Sequence, residues 1–166
     1  MIPLRLTAGG SFFVGRNGSE RTMWLCREPK CIHRILKNPG QIRRPRGTPP
    51  PTREIIDQGL SEFLRDSARR TLLSARKSGL IVDGSHRVKK CLQQNISAIV
   101  FAMDAGDTTR TQIEQIHNPV ESLIFPATSR EIGLLLSRGR RSVLALRPSR
   151  KTQSLIDTLR GWHSLG

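Results

Sequence analysis

The 166-residue chain carries 28 Lys and Arg against 13 Asp and Glu, a formal net charge of +15. Self-repulsion at this charge opposes compaction unless a polyanion neutralises it. Clustered basic side chains bind phosphate by releasing counterions, so nucleic acid is favoured as a partner over an anionic membrane surface. No run of about 18 apolar residues and no basic-then-apolar leader is present, so we expect neither a membrane-spanning helix nor a signal peptide.

Residues 1–46 predict a small basic module of mixed α and β structure. Short apolar stretches at 4–6, 11–14 and 23–25 indicate strands, and residues 30–37 indicate a basic helix that Pro39 ends. Residues 1–53 contain 11 basic and 2 acidic side chains, a net charge of +9. Because large apolar side chains are few here, we expect the module to be marginally stable by itself.

Residues 47–66 are interpreted as a linker and the start of a connecting helix. The proline run at 49–51 favours an extended spacer with exposed arginines around it. Apolar residues then recur at helical spacing from Ile56 to Ala75, with Thr52 as the N-cap and Gly79 as the C-terminal stop.

Residues 67–166 alternate predicted strands with predicted helices. The strands are expected at 80–82, 97–103, 122–125 and 142–146. The helices are expected to begin at Gly84, Thr109, Thr128 and Thr152, the second and third with capping boxes formed with Gln112 and Glu131. This alternation predicts an α/β fold, a three-layer α/β/α sandwich with a four-stranded sheet, preceded by the small basic α+β module.

Few residues suggest catalysis, metal binding or redox activity. Cys26 and Cys31 stand in a C-x4-C spacing near His33, which is short of the four paired ligands of a structural zinc site, so we favour structural thiols over a metal or redox pair. Three cysteines in all, an odd number, fit a reducing cytoplasm. Asp104 and Asp107 are interpreted as solvated or capping carboxylates. We predict no catalytic residue, no metal and no cofactor.

Three basic clusters are the candidate binding residues. The first surrounds Trp24, whose ring either stacks on a base or belongs to the core of the small module. The second lies at a predicted helix N-terminus, whose free N–H groups attract phosphate, and the third lies in a loop around Gly139. The second and third are expected to converge on one edge of the sheet. The candidate residues are Arg21, Trp24, Arg27, Lys30 and Arg34; Gly84, His86, Arg87 and Lys90; and Arg138, Arg140 and Arg141.

Three segments of the C-terminal part form a recognisable pattern: residues 72–84 (LLSARKSGLIVDG), the apolar strand 98–103 followed by Asp104, and residues 128–133 (TSREIG). With these segments, residues 72–162 resemble the kink-turn-binding ribosomal protein superfamily. The resemblance implies an α/β/α sandwich that binds structured RNA.

The same resemblance implies where the RNA contacts lie. The family binds through a glycine, an Asn-Glu pair and a lysine at the start of its second helix. In this sequence these positions are Gly84, His86, Arg87 and Lys90, so the glycine and lysine are retained and the middle pair is replaced. A second contact loop of the family corresponds to residues 138–141.

Residues 4–46 resemble the YlxR family of small bacterial nucleic-acid-binding proteins. The matching residues are 3–6 (PLRL), 21–26 (RTMWLC) and the pair Cys31-Ile32. The family's Gly-Arg-Gly reads Glu20-Arg21-Thr22, and its opening cysteine motif is missing, which predicts an incomplete, N-terminally truncated module.

These observations lead to the hypothesis of a non-enzymatic, cytoplasmic RNA-binding protein that prefers structured, ribosomal or other non-coding RNA to DNA. Ribosomal proteins or the transcription machinery are expected as further partners. The alternatives are a nucleoid-associated DNA-binding regulator of transcription, an accessory domain of an RNA methyltransferase and a pure protein-interaction module.

Overall fold

A computed structural model describes residues 1–6, 11–15, 22–116 and 120–165. The chain forms two compact units, one from Met1–Asp66 with Arg160–Gly166 and the other from Ser67–Leu159. Within the described ranges, no helix is both long enough and apolar enough to cross a bilayer.

The first unit begins with a three-stranded antiparallel sheet. Its strands are β1 (Ile2–Leu6), β2 (Phe12–Val14) and β3 (Met23–Leu25), in the order β2-β1-β3. Helix α1 (Pro29–Lys37) follows, and a 3-10 turn (Pro39–Gln41) ends it at the predicted proline.

The core of the first unit lies on one face of this sheet. Alternation along β1 turns Ile2 and Leu4 inward, where they are almost fully buried with Ile32 of α1. The rest of this core comes from beyond the predicted module, since Ile56, Leu60 and Leu64 are buried in it and Trp162 and Leu165 pack against it. Residues outside 1–46 therefore supply much of the apolar surface that this unit buries.

The long helix α2 (Arg53–Lys77) confirms the predicted helical periodicity. Thr52 caps it, because its Oγ1 accepts a hydrogen bond from the N–H of Ile55 at 3.4 Å. One position of this helix leaves little room for a side chain. A Cβ on Gly59 would lie 3.0 Å from Cγ2 of Val14 and 3.3 Å from Cε1 of Phe12, so its absence lets β2 approach the helix.

The second unit is built on a four-stranded sheet flanked by helices, which confirms the predicted fold class. The sheet order is β4-β7-β5-β6; β5 and β6 are parallel, and β7 runs antiparallel to both β4 and β5. After α2 the elements are β4 (Ile81–Asp83), α3 (Ser85–Cys91), β5 (Ala98–Ala102), α4 (Asp107–Glu114), β6 (Glu121–Phe125), α5 (Ser129–Leu135), β7 (Val143–Leu146) and α6 (Arg150–His163).

The two inner strands form the centre of this unit's core. Every residue of β5 and β7 is buried, as the nearly continuous apolar run at 97–103 predicts for a strand covered on both faces. Side chains from α2, α3, α5 and α6, among them Leu72, Val88, Ile132 and Leu155, are buried in the same cluster.

The helix starts agree only in part with the predicted caps. The Thr128–Glu131 capping box is confirmed: Thr128 Oγ1 accepts from the N–H of Glu131 at 3.3 Å, and the Glu131 carboxylate accepts from the N–H of Thr128 at 2.7 Å. The predicted Thr109–Gln112 box is wrong. Helix α4 begins earlier, at Asp107, so the N–H of Thr109 already bonds the carbonyl of Gly106 and Thr109 lies inside the first turn.

We expect Gly59→Val to destabilise the protein by about 1–3 kcal/mol, because a branched side chain overpacks the contact between α2 and β2. Chemical denaturation followed by circular dichroism measures this change. Gln58→Val is the matched control, since it places the same side chain on the exposed side of the helix. There it removes an exposed hydrogen bond to Glu62 and some helix propensity, which together cost about 0.5–1 kcal/mol. Equal stability of the two variants would contradict the close approach.

Candidate nucleic-acid interface

One edge of the four-stranded sheet collects the loops and helix starts of the second unit. Strands β4, β5 and β6 all end at this edge, and β7, which runs the opposite way, begins there. Helices α3, α4 and α5 therefore start at this edge, and the loop before β7 lies beside them. We call this surface, residues 83–90, 103–107, 126–131 and 137–142, the strand-end edge.

Asp83, the last residue of β4, connects two of the predicted clusters. Its Oδ1 accepts a hydrogen bond from Arg141 Nε at 3.0 Å and lies 3.8 Å from Nη1 of Arg87. The Asp83 side chain is only 14% exposed, whereas that of Arg87 is 68% exposed. One shielded carboxylate thus bonds the arginine of the loop before β7 and attracts the exposed arginine of α3, and the two predicted clusters lie together.

The loop at 137–142 is held by its own backbone. The N–H of Arg138 donates to the carbonyl of Gly133 at 2.8 Å, and the N–H of Arg141 donates to the carbonyl of Ser129 at 2.8 Å. A Cβ on Gly133 would overlap the carbonyl group of Gly139, so the loop lies directly against helix α5. With its backbone fixed, the loop leaves the side chains of Arg138 and Arg140 exposed to solvent.

Asp104 ties the end of β5 to the start of α5. Its carboxylate accepts hydrogen bonds from the N–H of Ser129 at 2.5 Å and from the Ser129 hydroxyl at 2.9 Å. The backbone N–H of Ser129 holds the pKa of Asp104 below its ordinary value, and the Ser129 hydroxyl and the charge of Arg140 act in the same direction. The structure agrees with the interpretation of Asp104 as a capping carboxylate.

Gly84 has a conformational reason to be glycine. Its φ of +86° lies where L-residues are strained, and it turns the chain from β4 into α3. Its N–H donates to the carbonyl of Val143 at 3.2 Å, so this amide is already used within the protein. Helix α3 exposes His86, Arg87 and Lys90, which lie about one turn apart. A ligand at this helix would therefore contact charged side chains rather than the amide of Gly84.

The predicted residues of the first unit are less clustered. Lys30 and Arg34 are exposed on α1 at i, i+4 spacing, and Lys30 Nζ lies 2.8 Å from the carboxylate of Glu28. Arg27 is partly buried, and Arg21 lies outside the described residues. Further along α1, basic side chains border an open pocket of about 470 Å³ lined by His33, Leu36, Lys37, Arg53, Ser164 and Leu165.

Trp24 does not belong to the core of the first unit. Its side chain is 47% exposed, and it lies on the sheet face opposite the buried leucines, because its neighbours Met23 and Leu25 face inward. The structure therefore contradicts the interpretation of Trp24 as a core residue of the small module.

The thiols of the first unit lie close together. The donor atoms of Cys26, Glu28 and Cys31 are all within 4.8 Å of one another, and no His belongs to this group in the described part of the chain. Burial, and then the neighbouring thiol of Cys26, raises the pKa of Cys31. Burial also raises the pKa of Cys91 in the second unit. Raised thiol pKa values mean less thiolate, the form that binds metals and reacts.

Several residues that shape these surfaces carry no signal in the sequence. Asp83 contacts Arg141, which is 58 residues further along the chain. Gly133 lies against Gly139, which is 6 residues further along. Lys89 Nζ donates to Gln112 Oε1 at 2.8 Å, which links α3 to α4. Phe13 is a half-exposed aromatic residue that only the strand alternation of 11–14 could have indicated.

Comparisons with known proteins find similar solved structures, two of which align with low sequence identity. No protein-family model matches the chain, and no curated protein matches its sequence. A protein of unknown function from Bacillus halodurans aligns with 18% identity and a TM-score of 0.41, over 60% of this chain and 94% of its own. The Giardia lamblia 15.5kD RNA binding protein aligns with 14% identity and a TM-score of 0.41, over 64% of this chain and 90% of its own.

We expect Asp104→Asn to lower the melting temperature at pH 7 by a few degrees, because it weakens both bonds to Ser129. The folded-state pKa of Asp104 is depressed. Its stabilisation is therefore present above the ordinary value of about 4 and is lost as the pH falls through the folded-state value. The difference between the two proteins should shrink below pH 4. Asp107→Asn, which removes the same charge from the first turn of the neighbouring helix α4, is the control. A difference between wild type and Asp104→Asn that does not change with pH would refute this linkage.

We expect Gly133→Ala to displace the 137–142 loop, because the added Cβ would overlap Gly139. Trypsin should then cleave after Arg138, Arg140 or Arg141 faster than in the wild type, and the protein should lose about 1–3 kcal/mol of stability. Gly106→Ala is the matched control, since nothing lies within 4 Å of a Cβ at that position. The proposed contact would be disproved by the same cleavage rate in both variants.

Proposed function

We propose that this chain is a non-enzymatic RNA-binding protein that recognises structured RNA, ribosomal or other non-coding, through the strand-end edge of its second unit. The observation that carries the proposal is the placement of two arginines at one shielded carboxylate, Asp83: Arg141 is hydrogen-bonded to it, and the exposed Arg87 lies 3.8 Å from it. Arginines held in this way can meet phosphates with little further loss of side-chain freedom.

The charge of the edge supports this assignment. Its residues include seven basic and four acidic side chains, a net charge of +3. Three of the four acidic side chains are already engaged: Asp83 by arginines, Asp104 by Ser129 and Glu131 by the capping box with Thr128. The exposed side chains that remain are mainly basic, which suits a phosphate backbone.

The shape of the edge favours folded RNA over a straight duplex. Its arginines are spread over a helix and a short loop, and no long recognition helix projects from the described part of the edge to fill a DNA major groove. Folded RNA is recognised largely by its shape and by its backbone. The family resemblances of the two parts of the chain agree with this assignment, with Gly84 and Lys90 retained and His86 and Arg87 at the replaced positions.

The rest of the proposal concerns the setting. We assign the protein no chemistry of its own and place it in the cytoplasm, near the ribosome or the transcription machinery. Lys30 and Arg34 of α1 would add sequence-independent phosphate contacts. The competing assignment, a nucleoid-associated DNA-binding regulator, predicts instead that duplex DNA competes as well as folded RNA at equal salt.

We expect Arg87→Ala with Lys90→Ala to weaken binding to ribosomal RNA fragments about tenfold or more at 0.15 M salt. The slope of log affinity against log salt should fall by up to about 2, one for each lost phosphate contact. Fluorescence anisotropy over a salt series measures both quantities.

The matched control is Arg147→Ala with Arg150→Ala, which removes two exposed basic side chains at the other end of β7. Equal effects of the two double variants would mean that net charge alone binds RNA and that the strand-end edge has no special role. An affinity that does not change with salt would refute the proposal as a whole.

A further inference from the structure

The outer face of the small sheet in the first unit is aromatic and basic. Register pairs Arg5 of β1 with Phe13 of β2, and Pro3 of β1 with Trp24 of β3. Residues paired directly across antiparallel strands share a face, and so do residues two apart in a strand. Pro3, Arg5, Phe13 and Trp24 therefore lie on one face, opposite the face that carries Ile2 and Leu4 into the core. Pro3 and Arg5 of the central strand are buried on this face too.

Two aromatic side chains on this face are about half exposed. Phe13 is 49% exposed and Trp24 is 47% exposed, although aromatic side chains of this size usually contribute to a core. Two strand spacings and two residues of offset separate them, about 10 Å across the sheet and about 7 Å along it. The rings are too far apart to enclose one base, so each would take a base of its own.

Arg5 lies between the two rings, on the central strand. It is only 9% exposed, and its Nε and Nη1 have no hydrogen-bond partner within the described ranges. Buried guanidinium donors are almost always satisfied in folded proteins, and an exception points to a missing ligand, ion or water. The donors of Arg5 match the acceptors of a phosphate or of a base edge.

Resting on the RNA-binding function proposed above, we propose that this face, Arg5 with Phe13 and Trp24, is a stacking site for unpaired bases of single-stranded RNA. Phe13 and Trp24 would each stack on one base, and Arg5 would donate to the phosphate or base edge between them. The first unit would then hold a single-stranded segment that flanks a folded RNA element.

Charge selects single-stranded RNA over an apolar protein partner at this site. The three strands contain no acidic residue, and residues 1–53 have a net charge of +9, from 11 basic and 2 acidic side chains. Exposed rings beside a positive charge are the usual composition of sites that bind single strands, because every base offers a flat face and every nucleotide a phosphate. An apolar protein surface would leave the guanidinium of Arg5 without an acceptor.

The test uses the full chain and a fluorescein-labelled oligouridine of twelve nucleotides, which has no folded structure. We expect Phe13→Ala and Trp24→Ala each to weaken its binding about tenfold without changing the salt slope, since stacking releases no counterions. Trp24→Phe, which keeps a ring, should restore most of the affinity. Arg5→Lys, which keeps the charge but loses the planar fork, should weaken binding and leave the salt slope unchanged. Melting curves check that each variant is folded.

The outcomes separate this inference from the proposed function. If folded ribosomal RNA binds with a steep salt dependence while Phe13→Ala and Trp24→Ala bind oligouridine like the wild type, the stacking site is overturned and the proposed function stands. Failure of the wild type to bind oligouridine at low salt also overturns the stacking site. If neither RNA binds, the proposed function itself has failed.

Discussion

The carboxylate of Asp83 is the interaction on which the basic surface of the second unit depends. It lies at the end of β4, largely shielded from water, and bonds Arg141 while attracting Arg87. A charged group in such a place is stabilised when its partners are held close. The two arginines, Arg87 and Arg141, are 54 residues apart in sequence, and the pairing of β4 with β7 brings them together. The fold thus brings two weak local features together as one charged surface.

The rest of the strand-end edge follows the same pattern, in which acidic side chains organise the backbone and basic side chains are left to solvent. Asp104 accepts from Ser129, and Glu131 closes the capping box of α5. The carbonyl of Ser129 in turn accepts from the N–H of Arg141. Asp83, Asp104 and Glu131 therefore each hold a backbone segment or an arginine in place. Arg138 and Arg140 of the loop have a fixed backbone and exposed side chains.

Much of the fold was predictable from sequence, because periodicity and caps are local. The buried run at 97–103, the apolar spacing from Ile56 to Ala75 and the capping box at Thr128 specify their elements within a few residues. The start of α4 was not predictable. Thr109 is a good cap by residue type, but the helix begins at Asp107. Likewise the pairing of Asp83 with Arg141 and the contact of Gly133 with Gly139 depend on tertiary neighbours, which no local pattern encodes.

The alternation of β1 also has a consequence for folding. Ile2 and Leu4 face the core, and Pro3 and Arg5 face the aromatic side, so a shift of the pairing by one residue would exchange the two sets. A guanidinium would then enter the apolar core while leucine came to the surface. Burial on one face and the charge of Arg5 on the other therefore favour the same strand register. Shifted registers of this small sheet are disfavoured although its strands are short.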